Sequence, residues 1–455
     1  MKLDSAARKF KRVPVSVTDC FVLANDAFMR RTEQGAHVSQ SFLELDRMPE
    51  VTHLRRALSQ LTQRHPILAG KLKRDWKTWL PYWEVPSCEN LPPLSLGLWR
   101  ESDVDRDDCH LIKNTEEHLQ QTVYKEFVYH KSHPFHARMD IVARNDGSAL
   151  IAFTWSHRLF DGKGAELLLA EIGRLCTGDD TSWSGKQPDH PEKTIKETIA
   201  KTKPAIIRFD EFAKLGVHSL GGPRPRPGKC RYHVITLSET ESARVNRRAA
   251  ETTGPLFPLP YYLACAARAH GEVFRMRGKE PVAQIASVPI QLRKRGARGP
   301  LFFNQVTILF FCTLREDLPS LAATAAALKK QFAEMTRDRL DESFTAVLEL
   351  MRRVPGRIFM KIVRWQFKGE LNSFYHSHTG AFAPEMTTFA GAHIINAWHL
   401  PCLGSPPGTG IFFNERNGKL NIVLSWRDGC LTDDERRTMV ARLMDDLLGN
   451  QENAG

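Results

Sequence analysis

The 455-residue sequence lacks the features that mark membrane-spanning, disulfide-stabilised and metal-binding proteins. It has no run of about 18 apolar residues, as a membrane-spanning helix requires, and its mean hydropathy is −0.36. Its nine cysteines are scattered without a Cys-x-x-Cys pair, so we predict neither a disulfide framework nor a metal site. The segment from Met1 to Ser5 has no apolar signal-peptide core. We therefore expect a cytoplasmic protein.

The sequence also has no nucleic-acid-binding motif and no repeat of alternating aromatic and basic residues, so no nucleic-acid partner is predicted. It does have an excess of positive charge, +12 at pH 7. Such an excess suits an anionic membrane surface or a phosphorylated cofactor as well as a nucleic acid. The charge alone therefore does not select a function.

A chain of this length exceeds one ordinary hydrophobic core, and its composition indicates where it divides. Residues 178–228 contain clusters of Gly, Pro and Asp around one predicted helix, near Glu192 to Lys214. We therefore predict a first lobe at residues 1–177, a linker at 178–228 and a second lobe at 229–455.

Strand and helix signals alternate within both predicted lobes. Apolar residues recur at helical spacing from Val51 to Arg64, and Thr18 is placed to cap an earlier helix. Asn145–Gly147 and Asn417–Gly418 are hairpin-turn signals between apolar strands, and a capping box from Thr432 to Glu435 opens the last helix. These patterns predict an α/β fold in which each lobe combines a mixed sheet with helices.

Two segments place a histidine four residues before an aspartate, His136 to Asp140 and His157 to Asp161. Roughly one such match is expected by chance in a chain with 17 histidines, so the spacing is weak evidence. No glycine follows the first aspartate, and we interpret His136 as structural. His157 ends an apolar strand, and Gly162 follows its aspartate before a helix. An imidazole at a strand end can reach a cleft and take a proton near neutral pH, although chance packing is the alternative.

The segment Ser156 to Gly162 resembles the His-x-x-x-Asp-Gly motif of the chloramphenicol acetyltransferase-like superfamily. That group includes plant BAHD acyltransferases, wax ester synthases, polyketide-associated acyltransferases and nonribosomal peptide condensation domains. Four other segments resemble the superfamily in order and spacing: Leu54–Leu72, Val288–Arg293, Phe303–Val306 (with Phe303 in place of a glycine) and Ser377–Gly380. The resemblance covers the chain from Val15 to Leu448.

The resemblance implies two chloramphenicol acetyltransferase-like lobes with the active site in the cleft between them. It implies an acyltransferase that moves an acyl group from acyl-CoA or an acyl carrier protein to a hydroxyl or amine of a small-molecule acceptor. His157 is then the general base, with no covalent intermediate and no bound cofactor. Asp161 is expected to form a structural salt bridge with Arg293, and Gly162 to let the chain turn without a side chain in the way.

The tetrahedral intermediate of such a reaction needs hydrogen-bond donors for its oxyanion. By resemblance, Ser377 and Thr379 are candidates, and Asn304 is a further one; the alternative is that all three only satisfy the backbone. The basic segment Gln291–Arg298 is a candidate for contact with the phosphates of coenzyme A, or else a solvated loop.

Two other functions stay open. Ser156 stands where condensation domains and wax ester synthases often have a further histidine, yet a free-standing condensation enzyme acting on carrier-bound groups is one alternative. A non-catalytic homologue that binds a lipid or a partner is the other, although an intact His157, Asp161 and Gly162 argue against it.

A second pattern follows Val354. Four basic residues fall on one helical face: Arg357, Lys361, Arg364 and Lys368. Four apolar residues fall on another: Ile358, Phe359, Ile362 and Val363. The basic face predicts peripheral contact with a membrane or with an acidic carrier protein. The alternative is a solvated basic face above an apolar stripe that packs into the core.

Overall fold

The computed structural model describes residues 10–89, 91–101, 135–181, 195–294 and 296–449. Fifteen strands lie in these ranges: β1 (Phe10–Pro14), β2 (Val38–Leu45), β3 (Lys71–Arg74), β4 (Pro81–Pro86), β5 (Leu96–Arg100), β6 (Ala137–Ala143), β7 (Ala149–Ser156), β8 (Cys230–Thr236), β9 (Ala283–Gln291), β10 (Val306–Leu314), β11 (Phe374–Ala381), β12 (Thr388–Phe389), β13 (Ala392–Leu400), β14 (Thr409–Arg416) and β15 (Lys419–Arg427). Ten α-helices accompany them in the same ranges: α1 (Val17–Arg31), α2 (Val51–Arg64), α3 (Gly162–Cys176), α4 (Ile195–Leu215), α5 (Glu239–Thr253), α6 (Leu259–Met276), α7 (Leu321–Arg337), α8 (Leu340–Met351), α9 (Gly356–Gln366) and α10 (Asp433–Leu448).

The first lobe is built on a six-stranded sheet of order β12-β13-β2-β7-β6-β5. Its central strands are almost entirely buried, and β7 is accordingly a mostly apolar run in the sequence. The predicted hairpin joins these two strands, and Gly147 adopts the positive φ of 87° that its turn needs. The predicted helix α2 packs against α3, with its apolar residues buried. A separate three-stranded sheet, β1-β4-β3, lies in the same half of the sequence.

The second lobe is built on a sheet of order β10-β9-β11-β14-β15-β8. Its last hairpin turns at Asn417 and Gly418, both with positive φ (49° and 74°), as the Asn-Gly signal predicts. The capping box at Thr432 and Glu435 is also present, and α10 packs on the buried helix α6. Helix α4, within the predicted linker, packs on α8 and contributes Phe212 to this lobe's core.

One part of the predicted lobe assignment is wrong. The sequence predicts that all of residues 229–455 belong to the second lobe, but β12 and β13 belong to the first sheet. Strand β13 pairs antiparallel with β2, and Trp398 lies opposite Phe42. This pairing covers an edge of β2 that would otherwise leave backbone groups without partners. The chain therefore crosses between the lobes again before β14, and both lobes contribute to the space between them.

Helix α1 begins earlier than expected, because Ser16 and not Thr18 is its N-cap. The Ser16 hydroxyl accepts a hydrogen bond from the Asp19 N–H, and the Asp19 carboxylate reaches back to Ser16, which forms a capping box. This buries the Asp19 carboxylate at the start of α1. Among the helices that the structure describes, none is both long and apolar enough to cross a membrane.

Candidate active site

A cavity of about 930 Å³ is lined by both lobes. His157 and Gly162 line it from the first lobe, and Ser377 and Thr379 line it from strand β11 of the second. Lys294, which follows β9, is also in its wall. The structure therefore brings together in one cavity residues that lie far apart in the chain.

The ends of three strands hold the main chain of His157. Strand β7 ends at Ser156, which lies opposite Val38 of β2, so that His157 and His37 are the next residues beyond this pair. The His157 N–H donates to the His37 carbonyl at 3.0 Å, and the His157 carbonyl accepts from Asn304 Nδ2 at 2.9 Å. With both main-chain polar groups bonded, the position of the imidazole is fixed by rigid elements.

The imidazole of His157 has one buried and one open nitrogen. Nδ1 is buried without a hydrogen-bond partner of good geometry among the described residues, which leaves Nε2 as the atom open to the cavity. Burial lowers the pKa of His157, and the negative charge of Asp161 opposes that shift without reversing it. The ring is therefore neutral near pH 7, which is the form that can accept a proton.

A second imidazole packs on this ring. The centroids of His37 and His157 lie 4.6 Å apart with an interplanar angle of 26°, and Trp155 contacts His157 from another side at 5.3 Å. Burial lowers the pKa of His37 well below its usual value, as does its neighbour His157. His37 is thus an uncharged platform that does not repel a proton on His157.

Asp161 faces away from the imidazole and into an ion pair, as expected. Arg293 Nη1 donates to both of its carboxylate oxygens, at 2.8 and 3.0 Å, and the two side chains are only 5% and 3% exposed. Asp161 is also the N-cap of α3, since it accepts from the Gly164 N–H at 2.7 Å. Its other oxygen accepts from the Gln305 N–H at 2.8 Å. One carboxylate thus ties the loop after His157 to the ends of β9 and β10 in the second lobe.

The glycine that this geometry requires is Gly164 and not Gly162. Gly162 is the first residue of α3 with φ outside the left-handed region, and a Cβ there would meet only His399, at 3.8 Å. A Cβ on Gly164 would lie 2.4 Å from the Leu301 carbonyl oxygen. The turn expected of Gly162 is therefore absent, and close packing between the lobes depends on Gly164.

The candidate oxyanion donors separate into two groups. The Thr379 hydroxyl donates to the Phe413 carbonyl at 3.4 Å, but both Ser377 and Thr379 line the cavity. Asn304 does not: it is 2% exposed, and its amide hydrogens are taken by Asp19 Oδ1 at 2.6 Å and by the His157 carbonyl. The assignment of Asn304 as an oxyanion donor is therefore corrected, because it has no N–H left to give and acts on the main chain of His157.

Two residues that support His157 were missed in the sequence. Asp19 is fully buried and accepts from both the main-chain and the side-chain amide of Asn304, at 2.8 and 2.6 Å. Burial raises the pKa of Asp19 to about 6, although these hydrogen bonds oppose the shift. The serine three residues before Asp19 was a capping signal. For His37 the sequence offers no signal, since its place directly before β2 is evident only in the structure.

Phe303 stands where the resemblance predicts a glycine, and its backbone conformation is one that favours glycine. Its φ is 68°, in the left-handed region that disfavours a side chain. Its N–H donates to the Leu159 carbonyl at 2.5 Å, next to the loop that carries Asp161. The chain thus keeps the glycine conformation with a phenylalanine, whose ring is buried in the first-lobe core.

Two further histidines, His378 and His399, line the cavity, and His399 has both ring nitrogens engaged. Nδ1 lies 2.9 Å from Ser41 Oγ, and Nε2 lies 3.0 Å from Glu166 Oε1. Burial alone would raise the pKa of Glu166, but hydrogen bonds from His399 and Lys163 lower it. Of His157 and His399, it is therefore His157 that has a nitrogen open to the cavity. In the described part of the chain, no group of three or more His, Cys, Asp or Glu could hold a metal ion.

Comparisons with known proteins show which solved structures have a similar architecture. No protein-family model and no curated protein matches the sequence. Among solved structures, the chain is similar to trichothecene 15-O-acetyltransferase from Fusarium sporotrichioides, with 12% identity, a TM-score of 0.69 and coverage of 98% of this chain and 96% of that one. It is similar to the first condensation domain of the CDA synthetase, with 15% identity, a TM-score of 0.63 and 96% coverage of both chains.

A third solved structure extends the comparison. The starter condensation domain of rhizomide synthetase, in complex with C8-CoA and Leu-SNAC, has 10% identity, a TM-score of 0.63 and coverage of 97% of this chain and 95% of that one. These matches span nearly the whole length of each chain. The chain has the two-lobed α/β fold of these acetyltransferase and condensation-domain structures, and the predicted fold class is confirmed.

Proposed function

We propose that this protein is an acyltransferase that moves an acyl group from a thioester to a hydroxyl or amine, with His157 as the general base. The observation that carries the proposal is the open Nε2 of His157 in a cavity lined by both lobes. A neutral imidazole can accept a proton, and the rigid end of a strand holds it in a fixed position, as a general base requires. The acetyltransferase and condensation domains with the same fold support it by analogy.

The proposed reaction needs one proton acceptor and no covalent intermediate. The acceptor's O–H or N–H gives its proton to His157 Nε2 while the heteroatom bonds to the thioester carbonyl carbon. The proposed donors to the oxyanion that forms are Ser377 and Thr379, which line the same cavity. Thr379 would donate by giving up its 3.4 Å hydrogen bond to the Phe413 carbonyl. The C–S bond then breaks, and the imidazolium returns the proton to the leaving thiolate. The products are an ester or amide and a thiol.

The donor we favour is an acyl-CoA. Lys294 and Arg298 line the same cavity as His157, and cations in a cleft suit the phosphates of coenzyme A. One solved structure with this fold is a complex with C8-CoA. An acyl carrier protein, which presents the same thioester, is the second candidate donor.

The test is thiol release from a panel of acyl-CoA and carrier-bound thioesters offered with alcohols and amines. We expect acceptor-dependent release by the native protein, and a loss of about 10²–10⁴-fold in His157→Ala at unchanged melting temperature. Release only from carrier-bound thioesters would replace the CoA assignment. Full activity of His157→Ala would overturn the mechanism, and no release from any thioester would overturn the proposed function.

A further inference from the structure

Helix α9 packs on α1 through one face only. Phe359 and Met360 are buried beside Ala24, and the Phe359 ring meets Phe21 edge-on at 6.3 Å. The opposite face exposes three large apolar side chains, which we call the apolar stripe: Ile358 (50% exposed), Ile362 (48%) and Trp365 (82%). The idea that all apolar residues of this helix pack into the core is therefore wrong for Ile358 and Ile362.

A row of cations borders the apolar stripe. Between Arg352 and Gly369 the sequence has six basic residues and no aspartate or glutamate. Arg364 is used within the fold, since it donates to the Pro223 carbonyl at 2.9 Å and lies over a phenylalanine ring. Three others are exposed, and in the described ranges none has an acidic partner; we call them the cationic stripe: Arg357, Lys361 and Lys368. They line a groove of about 640 Å³ between α1 and α9, together with Arg31.

The apolar stripe and the cationic stripe together suit an anionic membrane better than an acidic protein. An acidic protein would pair with the cations, but it would not explain why a tryptophan and two isoleucines are exposed to solvent. An anionic membrane meets both needs, since its phosphates pair with the cations and its acyl region takes up the apolar side chains. Tryptophan also favours the headgroup layer, where its ring is buried and its N–H stays hydrated.

A second feature of the same kind lies nearby. The turn between β3 and β4 exposes Trp76 (79%) and Trp79 (57%), and Lys77 lies over the Trp76 ring at 5.2 Å. The Val15 N–H, just before α1, donates to the Pro81 carbonyl of β4 at 3.3 Å, and Phe21 and Ala24 of α1 pack against α9. The hairpin and α9 therefore both adjoin the first half of α1.

We propose that α9 lies in the headgroup layer of an anionic phospholipid membrane, with the apolar stripe inserted and the cationic stripe at the phosphates. The hairpin tip at Trp76 and Trp79 makes a second contact. This docking is independent of the proposed chemistry, because it uses no residue of the cavity around His157.

The test is co-sedimentation with vesicles of phosphatidylcholine, with and without phosphatidylglycerol, at near-physiological ionic strength. We expect binding to the anionic vesicles and little to the neutral ones. The double variant Arg357→Glu, Lys361→Glu should bind at least about 30-fold more weakly, since each cation near such a surface contributes about fivefold. The matched control Lys329→Glu, Lys330→Glu makes the same charge change on exposed residues of α7 and should bind as the native protein does.

Insertion of Trp365 has its own readout. Brominated lipids should quench part of the tryptophan fluorescence of the bound native protein, and this part should be missing in Trp365→Phe. The proposal is overturned if the native protein does not sediment with anionic vesicles, or if the control variant loses as much binding as the α9 variant. It is also overturned in favour of a protein partner if the α9 variant keeps vesicle binding but loses activity only towards a carrier-bound thioester.

Discussion

His136 and His157 are each four residues from an aspartate, and they flank the same end of the β6–β7 hairpin. The Ser156 N–H donates to the His136 carbonyl at 2.9 Å, so the two segments are direct neighbours. Their rings have opposite surroundings. His136 Nε2 lies 2.8 Å from the Gly70 carbonyl, and its ring meets Trp83 edge-on, whereas His157 opens into the cavity.

The aspartates differ in the same way. Asp140 is bound by Arg138, two residues before it in the same strand, and by Trp99 of β5, so its contacts stay inside one sheet. Asp161 is bound by Arg293 from the second lobe. The comparison indicates that the two segments differ in what their aspartates hold: Asp161 fixes a loop against the other lobe and leaves His157 at the boundary between the lobes, whereas Asp140 does not.

The largest effect on this comparison should come from the two arginines. Both ion pairs are buried, so Arg293→Ala and Arg138→Ala should each cost about 3–5 kcal/mol of folding free energy by leaving a carboxylate unpaired. Only Arg293→Ala should also lower the activity per folded molecule, since it frees the loop after His157. Chemical denaturation and thiol release on the same samples measure both. Activity lost in Arg293→Ala at unchanged stability would contradict the role of the salt bridge.

The next largest effect is expected at the two glycines that follow Asp161, Gly162 and Gly164. Gly164→Ala places a Cβ against the Leu301 carbonyl and should cost about 1–3 kcal/mol while disturbing the contact between the lobes. Gly162→Ala meets no close atom and should leave stability nearly unchanged. Melting temperatures of the two variants check this pair. If Gly162→Ala proves the more destabilising, the steric account of this loop is wrong.

A smaller effect is expected from the ring that packs on His157. His37→Ala should lower kcat by about tenfold, since it lets the imidazole leave its productive orientation. His37→Phe should restore much of this rate because it keeps a stacked aromatic ring. Steady-state kinetics of both variants, with KM measured alongside, separate positioning from binding. Equal loss in both would show that the His37 nitrogens take part in the chemistry.

The smallest expected effect is on the pH dependence of the reaction rate. Burial lowers the pKa of His157 below the usual 6.5. His157 is therefore still mostly neutral at pH 6.5, where an ordinary histidine is half protonated. The acid limb of kcat/KM should therefore have its midpoint below pH 6.5. His136→Ala should not move this midpoint, because the pKa of His136 is itself lowered to about 4 by burial. A native midpoint at or above 6.5 would contradict the buried neutral base.

The fold and part of the site could be predicted because their signals are local. The Asn417–Gly418 turn, the Thr432 capping box and the order of the motifs all lie in short segments. The Asp161–Arg293 pair followed from resemblance alone. Strand β13 was misassigned because a strand's pattern does not name its partner.

The contacts that hold His157 could not be predicted in the same way. Asp19 and Asn304 are hydrogen-bonded although 285 residues separate them. No spacing rule connects such distant positions. The need for a glycine at position 164 is equally hidden, because it depends on the Leu301 carbonyl of another segment. The residues proposed to bear the chemistry are therefore easier to predict from the sequence than the residues that position them.

The central claim is that one of these two neighbouring histidines is a base and the other a packing residue. The measurement that tests it most directly is thiol release and melting temperature for His157→Ala and His136→Ala, prepared together. We predict that His157→Ala keeps its melting temperature and loses about 10²–10⁴-fold in rate. His136→Ala should lose stability and keep its rate per folded molecule. The reverse pattern, or equal rate loss in both, would contradict the account.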